Sequence, residues 1–218
     1  LEAITEKTRV IFLTSPNNPT GELVDHSLVK EICTKASNAL VVLDEAYFHF
    51  AGADTGIPLL NQHKNLIILR TFSKVYGLAS LRVGFGIADS NITKRLLKIK
   101  PTWNLGRMQL AGAIAALDDE EHVNRTLKMI HEMRDYITSE VEQLSKFKVV
   151  GQPKANFFMI EILDPRLDST SVYQSLLEKG VIVKDCSVSY LGLDHRYLRV
   201  DVSLKRHMDH LLEVLGEM

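Results

Sequence analysis

The chain has 218 residues, of which 45% are hydrophobic, and its 26 Lys and Arg nearly balance its 27 Asp and Glu, for a formal net charge of −1. This balance gives no electrostatic basis for binding nucleic acid or an anionic membrane surface, and no apolar run is long enough to predict a transmembrane helix. Cys33 and Cys186 stand alone, and the first residues do not resemble a signal peptide. The sequence therefore predicts a cytoplasmic protein with two reduced thiols and no metal site.

Short apolar runs in the N-terminal third of the chain predict buried β-strands, at residues 10–14, 40–43 and 66–69. A helix is predicted between the first two strands, from Asp25 or Ser27 to about residue 39. A further strand, interrupted by glycines, is predicted at residues 83–88. This alternation is typical of a mostly parallel α/β sheet, which binds its ligands at the carboxyl ends of the strands.

Chemically capable residues follow each of the first three predicted strands. The first strand leads into a loop rich in Pro, Asn and Gly at 15–21, the second into Asp-Glu-Ala-Tyr at 44–47, and the third into Thr-Phe-Ser-Lys at 71–74. Arg82 lies eight residues after Lys74. An amine and a guanidinium placed in this way suit a carbonyl cofactor that carries a phosphate, because the amine forms a Schiff base and the guanidinium pairs with the phosphate. Each feature alone is equally typical of a turn, a helix cap or a solvated lysine.

The second half of the chain has a different pattern. Helices are predicted at residues 91–99, 108–117, 120–144, 169–179 and 204–217, and strands at 148–150, 157–162, 181–183 and 198–202. The helix at 120–144 is long, charged and amphipathic. We therefore predict three regions: residues 1–104 belong to a large α/β domain, 105–145 form linking helices, and 146–218 form a small α+β domain.

Taken together, these stretches resemble the fold-type I pyridoxal-phosphate aminotransferases, and among them the histidinol-phosphate aminotransferases. The stretches that carry the resemblance are Ser-Pro-Asn-Asn-Pro-Thr-Gly (15–21), Leu-Asp-Glu-Ala-Tyr (43–47), Thr-Phe-Ser-Lys to Arg-Val-Gly (71–84), Ala-Asn-Phe (155–157) and Tyr-Leu-Arg-Val (197–200). The resemblance implies an incomplete, mostly parallel three-layer large domain with a small α+β C-terminal domain. It also implies a homodimer in histidine biosynthesis that transaminates L-histidinol phosphate with 2-oxoglutarate.

The resemblance implies a role for each cofactor-site residue. Lys74 would hold pyridoxal 5'-phosphate as an internal aldimine and then move the substrate α-proton. Asp44 would pair with the protonated ring nitrogen, and Asn18 and Tyr47 would bind the phenolic oxygen of the ring. The phosphate would be bound by hydroxyls and a guanidinium, those of Thr71, Ser73 and Arg82.

On the substrate side, the resemblance implies that Arg199 binds the α-carboxylate, with Asn18 and Lys184 as further substrate contacts. Lys184 stands where these enzymes usually have arginine, and Asp201-Val202-Ser203 differs from the usual Thr-Val-Gly. A threonine-phosphate decarboxylase and a broader amino-acid aminotransferase therefore stay open as alternatives.

The family carries an N-terminal arm, a phosphate-binding helix start and a ring-stacking aromatic residue ahead of the first stretch that matches. We therefore expect this chain to be the C-terminal part of a longer enzyme. The alternative from a different class is a truncated, non-catalytic dimerisation or regulatory module that retained the residues without the reaction.

Overall fold

A computed structural model describes residues 1–52 and 54–218 of the chain. Its strands and α-helices, in chain order, are β1 (Val10–Thr14), α1 (His26–Lys35), β2 (Leu40–Asp44), β3 (Leu66–Thr71), β4 (Gly84–Ala88), α2 (Ser90–Ile99), α3 (Arg107–Asp118), α4 (Glu120–Val141), β5 (Phe147–Val149), β6 (Phe157–Ile162), α5 (Ser169–Glu178), β7 (Lys184–Asp185), α6 (Cys186–Ser189), β8 (Tyr197–Asp201) and α7 (Lys205–Gly216). Short 3-10 helices lie at Phe48–Ala51, Ile57–Asn61 and Ala79–Leu81.

The described residues divide into two compact units. The first unit comprises residues 1–16 and 23–124, and the second comprises residues 17–22 and 125–218. The boundary at residues 124 and 125 lies within α4. The three-region division expected from the sequence stays a prediction.

The first unit contains a sheet in the order β1-β2-β3-β4. The pairs β1–β2 and β2–β3 are parallel, and β3–β4 is antiparallel. The predicted mixed α/β fold with a mostly parallel sheet is therefore confirmed. Because β1, β2 and β3 run in the same direction, the residues after Thr14, Asp44 and Thr71 leave the sheet at the same edge.

Helix α1 covers part of one face of this sheet. Its buried face joins residues of β2, β3 and the 3-10 helix Ile57–Asn61 in one apolar cluster, made of Val29, Ile32, Cys33, Val41, Leu43, Leu59, Leu66 and Ile68. Each such side chain contributes about 1.5–3 kcal/mol when it is fully removed from water. This packing fixes the strands whose ends carry the candidate site.

Both ends of α1 are hydrogen-bonded by side chains. At the start, Asp25 Oδ1 accepts from the backbone N–H of Ser27 at 2.6 Å. At the end, Asn65 Nδ2 donates to the carbonyl groups of Cys33, Ala36 and Ala39 at 3.0–3.1 Å. The helix ends at Lys35, earlier than predicted, because Ala36 leaves the helical conformation and these carbonyls bind Asn65 instead.

The prediction that β1 is a buried strand was wrong. Val10 is 48% exposed and Phe12 is 71% exposed. Within residues 1–52 and 54–218, β1 pairs with β2 alone, so it is an edge strand with one neighbour. Its apolar composition is therefore not matched by burial in the described part of the chain.

The second unit contains an antiparallel sheet in the order β5-β6-β8-β7. Strand β6 is buried on both faces: Phe157, Phe158 and Ile160 are each no more than 1% exposed. Helix α5 contacts β7, β8 and α7.

One local prediction in this unit was wrong, and one element was missed. Residues 181–183 are not a strand, although Val-Ile-Val favours one. The Val181 N–H instead donates to Leu176 O at the end of α5, and Ile182 is 79% exposed, so pairing with β8 starts only at Lys184. The short helix α6 was not predicted. It begins after Asp185, whose carboxylate accepts from Ser187 N–H at 3.0 Å.

No helix in the described part of the chain is both long enough and apolar enough to cross a membrane.

Candidate active site

The end of β2 places a carboxylate and a phenol at the edge of the first sheet. Asp44 is the last residue of β2, and its Oδ1 accepts the backbone N–H of Ala46 at 2.9 Å. Tyr47 follows in a turn and is only 8% exposed. The Asp-Glu-Ala-Tyr motif is therefore held in its turn by a hydrogen bond between the Asp44 side chain and the backbone of Ala46.

The end of β3 leads into a short turn that carries Lys74. Thr71 Oγ1 accepts the N–H of Ser73 at 3.0 Å, and the Gly77 N–H closes the turn on the carbonyl of Lys74 at 2.9 Å. Gly77 has a φ of 69°, a conformation that favours glycine. The turn brings Lys74 Nζ to 4.8 Å from the centroid of the Tyr47 ring, which is within cation–π range.

Arg82 returns to this turn from the other side. Its Nη1 donates to Ala79 O at 2.8 Å and lies 3.4 Å from Ser73 Oγ. Arg82 has a φ of 54°, a left-handed conformation that costs a non-glycine residue about 1–3 kcal/mol. Val83, the next residue, is buried beside Phe72, so local packing holds this conformation.

These side chains line one cleft of about 390 Å³ in the first unit, together with neighbouring residues: Asp44, Ala46, Leu69, Arg70, Thr71, Ser73, Lys74, Arg82, Val83 and Gly84. The cleft thus gathers an amine, a carboxylate, hydroxyls and a guanidinium. This donor set fits pyridoxal phosphate, which presents an aldehyde, a basic ring nitrogen and a phosphate.

Burial lowers the pKa of a neighbouring imidazole, His49, and the positive charge of Arg70 lowers it further. The His49 ring packs edge-on against Phe48 and Tyr76, with centroid distances of 5.0 and 5.4 Å. His49 is therefore held neutral as an aromatic packing residue near the Lys74 turn.

The remaining predicted site residues, Asn18, Lys184 and Arg199, belong to the second unit. Asn18 lies in the loop 17–22, where the Gly21 carbonyl accepts the Lys154 N–H at 2.7 Å. A Cβ at Gly21 would lie 2.9 Å from Pro153 Cβ, so this close approach requires glycine. The loop is thus anchored directly to the segment before β6.

Asn18 and Arg199 are brought together, although 181 positions separate them. Asn18 Oδ1 accepts from Arg199 Nη1 at 3.1 Å and from Tyr190 OH at 2.8 Å. Arg199 Nη2 lies 3.1 Å from both carboxylate oxygens of Asp201, and its guanidinium carbon lies 4.9 Å from the Phe157 ring centroid. Because Asn18 Oδ1 receives two donors, its amide nitrogen is left to donate elsewhere.

Lys184 lies beside this group. It is paired with Arg199 across β7 and β8, and its Nζ lies 5.6 Å from the Tyr190 ring centroid. Tyr190 was missed by the sequence analysis. It follows α6, which was not predicted either, and an isolated tyrosine in a loop carries no local signal of a distant asparagine partner.

The family model described as "Aminotransferase class I and II" matches residues 1–215. The chain belongs to this aminotransferase family. It is 38% identical over 218 residues to a histidinol-phosphate aminotransferase of Methanothermobacter thermautotrophicus, an alignment that covers 100% of this chain and 57% of the relative. The chain thus spans somewhat more than half the length of this curated relative.

Solved structures share the aminotransferase fold. A histidinol-phosphate aminotransferase from Sinorhizobium meliloti, in complex with pyridoxal-5'-phosphate, has a TM-score of 0.85 at 25% identity and covers 95% of this chain and 56% of its own. An L-threonine-O-3-phosphate decarboxylase from Porphyromonas gingivalis has a TM-score of 0.87 at 20% identity. The match covers 99% of this chain and 66% of the decarboxylase chain. The latter likeness shows the fold alone.

Proposed function

We propose that this chain carries the core of a pyridoxal-phosphate-dependent aminotransferase, acting on L-histidinol phosphate and 2-oxoglutarate. The observation that carries the proposal is the cleft of the first unit, which is lined by Asp44, Thr71, Ser73, Lys74 and Arg82. Membership of the class I and II family supports transamination. The names of the relatives support the substrate, and the cofactor printed for one solved neighbour supports the coenzyme.

Lys74 and Asp44 carry the chemical step in this proposal. When bound, pyridoxal phosphate supplies an electron-withdrawing ring that stabilises negative charge at the substrate α-carbon. Lys74 would hold the aldehyde through its amine, and the same amine would then move the α-proton. The Asp44 carboxylate would keep the ring nitrogen protonated, and Tyr47 and Asn18 would be the donors to the phenolic oxygen, as the family resemblance implies.

Phosphate binding falls to residues that the turn after β3 presents. Arg82 supplies the positive charge, and Thr71 and Ser73 supply hydroxyl donors. Thr71 Oγ1 accepts the Ser73 N–H at 3.0 Å and donates its hydroxyl to the Val83 carbonyl over a long 3.4 Å, a contact that a phosphate oxygen would replace in this proposal.

Substrate binding falls to the second unit in this proposal. Arg199 pairs with the α-carboxylate, and Asn18 orients the Arg199 guanidinium through the 3.1 Å hydrogen bond. Lys184 meets the substrate phosphate as a point charge, a less directional contact than arginine would make. By analogy with the family, we expect the protein to act as a homodimer.

The test is the variant Lys74→Ala in the protein as its gene encodes it. We expect loss of the yellow, borohydride-reducible cofactor adduct and a fall in transamination of at least about a hundredfold, since both depend on this amine. Lys128→Ala is the matched control, because the Lys128 side chain is 78% exposed in α4. Retention of both the adduct and the activity in Lys74→Ala would refute the proposal.

The departures from the family pattern at Lys184 and at residues 201–203 leave a threonine-phosphate decarboxylase and a broader amino-acid aminotransferase as alternatives. The decarboxylase is the second candidate to test. It is distinguished by assaying carbon dioxide release from threonine phosphate alongside the transamination assay. If the wild-type protein forms neither a borohydride-stable adduct at Lys74 nor either product, a non-catalytic module becomes the better interpretation.

A further inference from the structure

A buried ion pair lies immediately beside the candidate active site. The side chains of Glu45 and Arg70 are 4% and 13% exposed, and Arg70 Nη2 lies 2.7 Å from Glu45 Oε2. Arg70 Nε donates to the same oxygen at 3.1 Å. Nothing in the aminotransferase roles proposed above uses either residue.

The Glu45 carboxylate accepts hydrogen bonds from two other segments of the chain, Arg70 in β3 and residues 55–56. Besides Arg70, its Oε1 accepts the Gly56 N–H at 2.6 Å, and its Oε2 accepts the Thr55 hydroxyl at 3.1 Å. A Cβ at Gly56 would lie 2.6 Å from Leu43 Cδ2 and 3.1 Å from Glu45 Oε1, so a larger residue would force the Leu43 side chain to move. Buried carboxylates with this many partners are held in one orientation.

The Arg70 guanidinium is fixed as tightly as its partner. Its Nη2 also donates to Thr55 Oγ1 at 2.6 Å, and its guanidinium carbon lies 4.0 Å from the Phe48 ring centroid. A lysine could supply the charge and donors from one nitrogen, but not donors from two nitrogens in one plane or the flat group that stacks on Phe48. The pair is therefore specific for arginine at this position.

The position of the pair in the fold suggests what it does. Glu45 directly follows Asp44 at the end of β2, and Arg70 directly precedes Thr71 at the end of β3. The last backbone hydrogen bond between these two strand ends runs from the Glu45 N–H to Leu69 O, at 2.9 Å. The ion pair extends this connection by a side-chain link between the two segments that carry Asp44 and Lys74.

We propose that the Glu45–Arg70 pair positions the Asp44 carboxylate relative to the turn that carries Thr71, Ser73 and Lys74, and so sets cofactor affinity and the protonation of the lysine-bound cofactor. The inference rests on the proposed function. A purely structural pair would contribute to stability alone, and replacing a buried ion pair by apolar residues of similar size often leaves stability unchanged. Stability and positioning can therefore be measured separately.

The experiment compares wild type with R70K, which keeps the charge, and with the double variant E45M/R70M, which removes both charges. We expect both variants to raise the pyridoxal phosphate dissociation constant by about tenfold, as measured by absorbance titration. We also expect the pH midpoint of the visible absorbance band to move. The reason is that the distance between the Asp44 carboxylate and the Lys74 amine changes in both variants. Thermal unfolding of R70K, compared with wild type, tests whether the variant is folded.

The matched control is R166K, which changes an equally close Arg–Asp pair that is 80% exposed on the arginine side and lies in the second unit. It should leave the dissociation constant and the pH midpoint unchanged. The proposal is overturned if folded R70K binds the cofactor within about twofold of wild type with an unmoved pH midpoint. If E45M/R70M does not fold, R70K alone decides.

Hydrogen exchange separates this proposal from the proposed function. If wild type binds no pyridoxal phosphate, the function fails, but positioning is still measurable without cofactor. We expect faster amide exchange in residues 71–77 of R70K than of wild type, and equal exchange there would overturn the positioning role.

Discussion

Arg199 has a carboxylate neighbour in its own strand. Both Asp201 oxygens lie 3.1 Å from Arg199 Nη2, and the Asp201 side chain is 62% exposed. The Arg199 side chain is only 16% exposed, so water screens this pair mainly at the Asp201 end. If Arg199 binds the substrate carboxylate as proposed, that carboxylate must either displace Asp201 from the guanidinium or share the guanidinium with it. This competition lowers the affinity for substrate.

We therefore predict that Asp201→Asn lowers KM for both the amino acid and the oxo acid by about two- to fivefold, with kcat nearly unchanged, because removing the competing charge strengthens binding of the substrate and of the transition state equally, relative to the free enzyme. Steady-state kinetics on both substrates measure this. Asp209→Asn is the control, since Asp209 pairs with Lys205 and not with Arg199. An unchanged or raised KM in Asp201→Asn would contradict the prediction.

At this scale, chemically distinctive residues were predictable and their partners were not. Lys74, Asp44 and Arg82 stand at strand ends in recognisable spacing, and the structure places them on one cleft. The Tyr190 contact with Asn18 spans 172 positions. No local pattern encodes a contact of that separation.

The turn that carries Lys74 connects β3 to β4, and its position depends on the pairing of these two strands. Gly84 lies opposite Thr71, and Phe72 N–H donates to Val83 O at 3.1 Å just beyond the pair. A Cβ on Gly84 would lie 2.8 Å from the Arg70 carbonyl oxygen, which is backbone and cannot rotate away. The strand therefore requires glycine where it meets the end of β3.

We predict that Gly84→Ala destabilises the protein by about 1–3 kcal/mol, because the two strands must move apart to admit the methyl group. Urea unfolding followed by circular dichroism measures the change. The matched control is Gly216→Ala near the end of α7, where an added Cβ meets nothing within 4 Å. Equal stability of the two variants would show that β4 adjusts without cost.

Elements with a strong hydrophobic period were predicted well, and those defined by their ends were not. The long amphipathic helix α4 and the buried strands β2, β3 and β6 lie at or near their predicted positions. Val-Ile-Val at 181–183 has strand propensity, but the backbone of Val181 closes the end of α5 instead. Tertiary hydrogen bonding overrode the propensity there.

Each of the two compact units contains one buried cysteine, which can serve as a probe of the unfolding of that unit. Cys33 is 1% exposed in the first unit, and Cys186 is fully buried in the second. Burial raises the pKa of each thiol to about 11. At pH 8 the reactive thiolate is therefore a fraction of about one in a thousand, and access to it is blocked as well.

We predict that neither thiol reacts with an alkylating reagent over minutes at pH 8 under native conditions, and that each becomes reactive only when its own unit unfolds. Labelling across a urea series, with each cysteine assigned by mass spectrometry, measures the two transitions separately. Urea-unfolded protein is the control for full reactivity. Rapid native labelling of Cys33 or Cys186 would contradict the burial described for that unit.

The amino-acid sequence by itself determined the mixed α/β character, most strand positions and the residues able to do chemistry at the strand ends, because hydrophobic periodicity and side-chain type are local properties. Only the tertiary structure decided the antiparallel direction of β4, the exposure of Phe12, the Glu45–Arg70 link and the group formed by Asn18, Tyr190 and Arg199. Each of these depends on which distant segments become neighbours, and that is set by how the whole chain packs.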